Sequence, residues 1–114
     1  MMKSILIAGL TSLLATGVLA HSPLSATTPP DQATLAAAPD ALSLTFKGTI
    51  RLTRVTSVHA GGPGTKLDLG DQTNFATDFV VPFAGMGPGA YVIEWRGLGA
   101  DGHALKGTFS FTVE

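Results

Sequence analysis

The stretch PGAYVIEWR, residues 88–96, decides the fold class of this chain. Tyr91, Ile93 and Trp95 occupy alternate positions in it, so an extended backbone places three large apolar side chains on one face. Glu94 and Arg96 then lie on the opposite face. A period of two with one apolar face predicts a β-strand that packs on a core.

The same period recurs along much of the chain. The alternating positions are Leu42, Leu44 and Phe46, then Phe75, Thr77, Phe79 and Val81, and finally Phe109, Phe111 and Val113. Segments rich in Gly and Pro separate these runs, and no stretch keeps a helical period for three turns. The phase changes within residues 49–58, which predicts a β-bulge or a change of sheet at Thr53-Arg54.

These patterns predict an all-β fold. With residues 21–28 as an edge strand, about seven short strands fit a Greek-key β-sandwich of the immunoglobulin-like or cupredoxin-like kind. Residues 26–39, rich in Ala, Thr and Pro, are interpreted as a connection that crosses between the two sheets.

The amino terminus has the order of a secretory signal peptide. Lys3 supplies the positive region, residues 5–19 are almost wholly apolar, and Ala20 supplies a small residue for cleavage. A membrane anchor is the alternative, but an apolar run of roughly 15 residues is short of the roughly 20 that span a bilayer. We therefore predict a signal peptide at residues 1–20, a single domain at 21–114, and export to the periplasm.

Composition excludes several classes of function. Loss of Lys3 with the signal would change the formal charge from −1 to −2, and neither a basic stripe nor an aromatic stacking platform indicates nucleic-acid binding. The chain has no Cys, so a bound metal would be held by nitrogen and oxygen ligands. We expect a monomer without stable membrane insertion after cleavage.

Cleavage after Ala20 would leave His21 as the first residue, whose amine and imidazole together form a metal chelate. Asp101 and His103 could complete the site, because side chains two apart in an extended segment project to the same side, and Gly102 between them permits the backbone to turn. The alternative interpretation of Asp-Gly-His is a simple hairpin turn. In one type of amino-terminal copper site, deprotonated backbone amides and a His at the third position bind the metal. Here the third residue after cleavage is Pro23, which has no N–H to deprotonate, so that site cannot form.

Several segments in order resemble the CopC family of periplasmic copper-binding proteins. They are a His after Ala at residues 20–21, Thr-Pro-Pro-Asp at 28–31, Leu-Ser-Leu-Thr-Phe at 42–46, Pro-Gly-Ala-Tyr-Val-Ile-Glu-Trp-Arg at 88–96, Ala-Asp-Gly-His at 100–103, and Gly-Thr-Phe-Ser-Phe-Thr-Val at 107–113.

This resemblance implies a seven-stranded β-sandwich that binds one Cu(II) ion per chain and serves copper resistance, sequestration or transfer. The ligands that it implies are the amine and imidazole of His21, with Asp101 and His103 from the Asp-x-His motif. Three nitrogens and one oxygen suit tetragonal Cu(II). An inner-membrane copper transporter is the partner that the resemblance suggests.

Other residues are given structural interpretations. Met86 is the one methionine after the predicted signal, so a thioether site for Cu(I) is not expected, and Met86 is interpreted as a loop residue at the sandwich edge. His59 is interpreted as a solvated loop histidine, with an auxiliary ligand as the alternative. We expect Trp95 in the core, and Arg96 paired with Asp101 or another carboxylate.

Three classes of function follow from these observations. The first is a copper carrier or buffer. The second is an enzyme that uses a histidine brace, like copper-dependent polysaccharide monooxygenases, although those need a flat aromatic face that this chain has little sequence to build. The third is a structural β-sandwich without a metal.

Overall fold

The computed structural model describes residues 23–114, which form seven strands. The strands are β1 (Leu24–Thr28), β2 (Ala33–Leu35), β3 (Ala41–His59), β4 (Gly64–Lys66), β5 (Ala76–Pro82), β6 (Gly89–Gly99) and β7 (Ala104–Val113). These residues contain no helix, and therefore none that could span a membrane. The prediction of an all-β, seven-stranded sandwich is confirmed.

Strand β3 belongs to both layers of the sandwich. Its first part pairs with β1 and β5, and its second part pairs with β4 and β6. The buried alternation stops at residues 47–49, all three of which are exposed, and resumes at Ile50. The chain changes layer here without ending the strand, so two segments that the sequence suggested as separate strands are one.

The predicted irregularity at Thr53-Arg54 is present as a β-bulge. The register between β3 and β6 shifts between Leu52 and Arg54. The Thr53 hydroxyl donates a hydrogen bond to the carbonyl of Arg96, at 3.1 Å. This side-chain bond links the two strands where the bulge interrupts their backbone pairing. The extra residue in the bulge shifts the alternation of buried and exposed side chains by one position, so Val55 points into the core like Leu52.

The core lies between the two layers. Its fifteen buried apolar residues are Leu42, Leu44, Phe46, Ile50, Leu52, Val55, Phe79, Val81, Phe83, Tyr91, Ile93, Trp95, Phe109, Phe111 and Val113. The ring of Phe46 meets the indole of Trp95 edge to face, with centroids 5.0 Å apart. Trp95 is 1% exposed, which confirms its predicted place in the core.

Two local predictions need correction. Phe75 was expected in the core by its alternation with Phe79, but it precedes β5 and is 51% exposed. The connection at residues 26–39 does cross between the layers, but it contains β2, which pairs in parallel with the end of β7. The Asp31 carboxylate also accepts a hydrogen bond from the N–H of Ser110, which helps to hold the connection on that edge.

Candidate metal centre

The Asp-Gly-His motif forms the hairpin turn between β6 and β7. The N–H of Gly102 donates to the carbonyl of Gly99, and the N–H of Gly99 donates to the carbonyl of His103. Gly102 has a φ of +87°, a left-handed conformation that glycine adopts without steric cost. The three residues between Gly99 and His103 therefore make the tight loop that the turn interpretation predicted.

The turn brings the side chains of Asp101 and His103 into contact. One carboxylate oxygen, Oδ2, lies 2.8 Å from Nδ1 of His103, and the other, Oδ1, accepts a hydrogen bond from the His103 N–H. We expected the two side chains to converge by strand alternation. The structure brings them together through a turn instead, because the backbone folds back at Gly102.

This contact fixes how His103 presents its ring. A carboxylate can only accept, so neutral His103 carries its proton on Nδ1, and the lone pair of Nε2 is left for a ligand. The side chain is 81% exposed, and no hydrogen bond engages Nε2 among residues 23–114. An imidazole held in this tautomer by a carboxylate is the usual arrangement of a histidine that binds metal.

Asp101 is the negative partner in the pair. The hydrogen bond from the His103 side chain lowers the pKa of Asp101 below its ordinary value of 3.8, and the bond from the His103 backbone lowers it further. Each oxygen of the carboxylate uses one lone pair in these bonds and keeps another. Asp101 therefore orients His103, but a cation on Nε2 lies on the far side of the ring, so the carboxylate can bind that same cation only after it releases Nδ1.

Arg96 does not take part in this pair. Among residues 23–114 the side-chain partner of Asp101 is His103, and the suggestion that Arg96 pairs with Asp101 is not confirmed. Arg96 lies on the outer face of β6, three residues before the strand ends at Gly99.

His59 lies at the other end of the sandwich. It is the last residue of β3 and pairs with Tyr91, whereas Gly99 lies eight residues further along β6, about 27 Å in an extended strand. Its ring stacks on Tyr91, with centroids 4.5 Å apart, and Nε2 lies 2.9 Å from the carbonyl of Pro88. The interpretation of His59 as a solvated loop residue is therefore wrong, and its distance excludes it from a site at Asp101.

Met86 lies in the loop before β6, near the same end as His59. Its N–H donates to the hydroxyl of Tyr91, which itself donates to the carbonyl of Gly87. The Met86 side chain is 62% exposed. The loop prediction is confirmed, and the buried Tyr91 hydroxyl that holds the loop is a contact that alternation alone did not reveal.

His21, the third predicted ligand residue, lies outside the described residues. Within residues 23–114, no three His, Cys, Asp or Glu side chains lie together in a way that could hold a metal. The described residues contribute one imidazole and one carboxylate, which is half of a four-coordinate site. The rest of a ligand set would have to come from residues ahead of Pro23 or from solvent.

The fold and the turn define a β-sandwich protein with a histidine–carboxylate pair on an exposed hairpin. The CopC domain family model matches residues 24–114, so this chain belongs to the CopC domain family. A curated relative, protein YobA of Escherichia coli, is 30% identical over 116 residues, which cover 91% of this chain and 87% of YobA.

Two solved structures share the fold. The CopC of Methylosinus trichosporium OB3b superposes with a TM-score of 0.66 at 24% identity, over 82% of this chain and 94% of that one. PcoC of Escherichia coli, described as a methionine-rich copper resistance protein, gives a TM-score of 0.57 at 23% identity, over 83% of this chain and all (100%) of PcoC.

Proposed function

We propose that this protein is a periplasmic Cu(II)-binding protein that serves copper resistance, sequestration or transfer. The observation that carries the proposal is the His103 imidazole, which is held by Asp101 with Nε2 directed to solvent. Membership of the CopC domain family and the copper resistance role stated for PcoC support the same function. In the proposed site the His21 amine and imidazole join Asp101 and His103 around one ion, and the Asp101 carboxylate exchanges its hydrogen bond with Nδ1 of His103 for that ion.

The topology supports a contribution from residues ahead of Pro23. Ile50 of β3 pairs with Ala76 of β5 and with Gly99 of β6, so these two strands lie on opposite sides of β3. Ser43 similarly pairs with both β5 and β1. Strands β1 and β6 therefore pair with the same edge of β3, β1 along its first part and β6 along its second part.

The direction of β1 brings its start towards the turn. The carbonyl of Pro23 accepts a hydrogen bond from Lys47, only three residues before Ile50 and its partner Gly99. Strand β1 is antiparallel to β3, so a chain extended backwards from Pro23 heads for Gly99. His21 is two residues further back, a reach of about 7 Å. The start of β1 therefore lies near the end of β6 that leads into the Asp101 turn, which supports the proposal.

The donor set favours Cu(II) over Cu(I). Two imidazoles, an amine and a carboxylate are ligands that suit tetragonal Cu(II), whereas Cu(I) prefers thioethers and thiolates. PcoC is described as methionine-rich, but this chain has three methionines, two of them Met1 and Met2. Met86 lies near Tyr91, at the end of β6 opposite the Asp101 turn.

We propose a binding role rather than catalysis. A carboxylate among the ligands would occupy a position that oxygen needs in a histidine-brace enzyme. The four large apolar side chains exposed in residues 23–114 are Phe75, Val80, Met86 and Val92, of which only Phe75 is aromatic. A flat aromatic platform for a polysaccharide is not present on the described residues.

A test of the proposal uses the free amine. Protein that begins at His21 is compared with protein that carries one extra Ala ahead of it, in Cu(II) titrations against a competing chelator. The extra residue turns the amine into an amide, so we expect affinity to fall by more than about tenfold, which corresponds to about 1.4 kcal/mol. Equal affinity with an unchanged circular dichroism spectrum would exclude the amine.

Export is tested separately. The mass of the protein recovered from the periplasm should match a chain that begins at His21. A mass that retains residues 1–20 would contradict both the signal peptide and the amine ligand.

A further inference from the structure

We infer that the outer face of strands β4, β3, β6 and β7 is a docking surface for an acidic face of a protein partner. Five cationic residues lie on it, and we call this surface the basic face: Arg51, Arg54, Lys66, Arg96 and Lys106. The inference rests on their register and does not depend on the proposed copper site.

The centre of the basic face is a row of three cations on adjacent strands. Arg54 of β3 is directly opposite Arg96 of β6, and Arg96 is directly opposite Lys106 of β7. All three are exposed, while their neighbours Val55 and Trp95 point into the core. The three side chains therefore stand side by side on the solvent face.

The remaining two cations join from flanking positions. Arg51 pairs with Leu98, two residues from Arg96 on β6 and so on the same face. Lys66 of β4 pairs with Thr56, which is two residues from Arg54. Of the cationic residues in the described chain, only Lys47, in the exposed bend of β3, lies elsewhere.

Acidic residues are almost excluded from this face. Glu94, between Thr56 and Thr108 in the neighbouring row, is the one carboxylate within these four strands. Asp68 borders the face, because the N–H of Leu67 donates to the carbonyl of Val55 and so continues the pairing of β4 towards Arg54. The others lie in connections, on β5 or after β7: Asp31, Asp40, Asp68, Asp71, Asp78, Asp101 and Glu114. A chain with net negative charge thus concentrates its positive charge on one face, and the expectation from the sequence that no basic stripe is present needs correction.

This arrangement works against folding. Like charges directly opposite each other destabilise a sheet, and within the described residues no ion pair relieves Arg54, Arg96 or Lys106. A single acidic residue in place of Arg54 would turn repulsion into attraction. Surfaces that sacrifice stability in this way are typical of binding sites, where the charges are neutralised by a partner.

The chemistry of the face selects the partner. Arginine binds carboxylates through two parallel hydrogen bonds, and a depression of about 240 Å³ lies between Arg54, Thr56, Glu94 and Arg96. Glu94 would be repelled by a uniformly anionic lipid surface, whereas a folded partner can place a hydrogen-bond donor against it. These features favour the carboxylates of a protein.

The first test uses a decaglutamate peptide with the metal-free protein at low ionic strength, followed by amide chemical shifts. We expect shifts on β3, β6 and β7 around the row, and their loss at about 0.15 M salt, because exposed charges are then screened. Shifts located elsewhere, or no binding, would overturn the proposal. Tighter binding to phosphatidylglycerol vesicles than to the peptide would also overturn it, in favour of a membrane.

The second test separates binding from folding. Arg54→Glu should weaken peptide binding by about tenfold or more, yet raise the Tm by about 1–5 °C, since it creates an attractive pair with Arg96. Lys47→Glu is the control, because it makes the same charge change off the face. Equal weakening by both variants would show that net charge, and not this surface, binds the peptide.

Discussion

Gly107 lies directly against the indole ring of Trp95, its partner across β6 and β7. A Cβ at Gly107 would stand 2.8 Å from both Nε1 and Cζ2 of the ring. The indole N–H is buried without a hydrogen-bond partner among the described residues. The large aromatic side chain thus fits the sandwich because the residue opposite it has no side chain.

Gly107→Ala should therefore destabilise the fold. The buried Trp95 ring cannot move away freely, so we expect overpacking to cost about 1–3 kcal/mol of unfolding free energy. Urea denaturation followed by Trp95 fluorescence measures this loss. Gly48→Ala is the matched control, because its Cβ would meet nothing within 4 Å and should be tolerated.

His59→Ala should change stability and leave copper binding unaltered. The substitution removes the stacking on Tyr91 and the hydrogen bond to Pro88, which together should cost about 1–2 kcal/mol. Cu(II) affinity should stay within error of the unaltered protein. A large loss of affinity would mean that His59 is a ligand after all.

Substitutions at the turn should show the opposite pattern. His103→Ala should reduce Cu(II) affinity more than Asp101→Ala, because a water can replace one carboxylate oxygen more readily than an imidazole. Neither should change the Tm appreciably, since both side chains are exposed. Competition titrations give the order, and the reverse order would make Asp101 the dominant ligand.

Asp101→Asn tests the positioning of His103 separately. The amide oxygen can still accept from Nδ1, but the negative charge is lost, so affinity should fall by about 10–100-fold. Electron paramagnetic resonance of the Cu(II) form should retain nitrogen couplings from His103. Loss of those couplings would show that the charge of Asp101, rather than its hydrogen bond, holds the imidazole.

Acid should release the proposed copper ion, and protonation of the nitrogen ligands should set the pH range of the release. His103 lowers the pKa of Asp101, so this carboxylate stays charged well below neutral pH and does not titrate with the release. Imidazoles and an amine ordinarily bind protons between about pH 6 and 8, and protons compete with Cu(II) for the same lone pairs. Affinity should therefore fall as pH decreases through this range, which chelator competition at several pH values measures.

The stability of the metal-free protein should depend on pH in a different, more acidic range. A carboxyl whose pKa is lowered by folding stabilises the fold above its ordinary pKa, and this stabilisation is lost as pH falls through the lower value. Asp101 is exposed, so the effect should be small. A Tm that dropped sharply between neutral pH and pH 5 would contradict this assignment.

Alternation predicted most of the strands because each buries one face. Trp95, Phe111 and Leu44 are buried where the period of two places them. Phe75 follows the same period and is exposed, because alternation cannot reveal where a strand begins. The continuity of β3 through residues 47–49 was also hidden, since the sequence shows the break in the apolar alternation but not that the backbone stays extended across it.

The candidate site was only partly predictable. Asp101 and His103 were found through their motif, and the structure adds that they contact each other and fix the ring of His103. His59 was misjudged because its stacking on Tyr91 depends on a pairing between β3 and β6 that no local pattern encodes. The contribution of His21 stays a prediction, since it lies outside the described residues.

The shared strand β3 has a consequence for hydrogen exchange. Four of the other six strands pair with it, so a fluctuation that frees β3 would leave β1, β4, β5 and β6 without that partner at once. Amides in its two buried segments, around Leu44 and Val55, should exchange only through global unfolding. Strand β2, held by three pairs on β7, should exchange first, so opening proceeds from the edge while both layers remain joined.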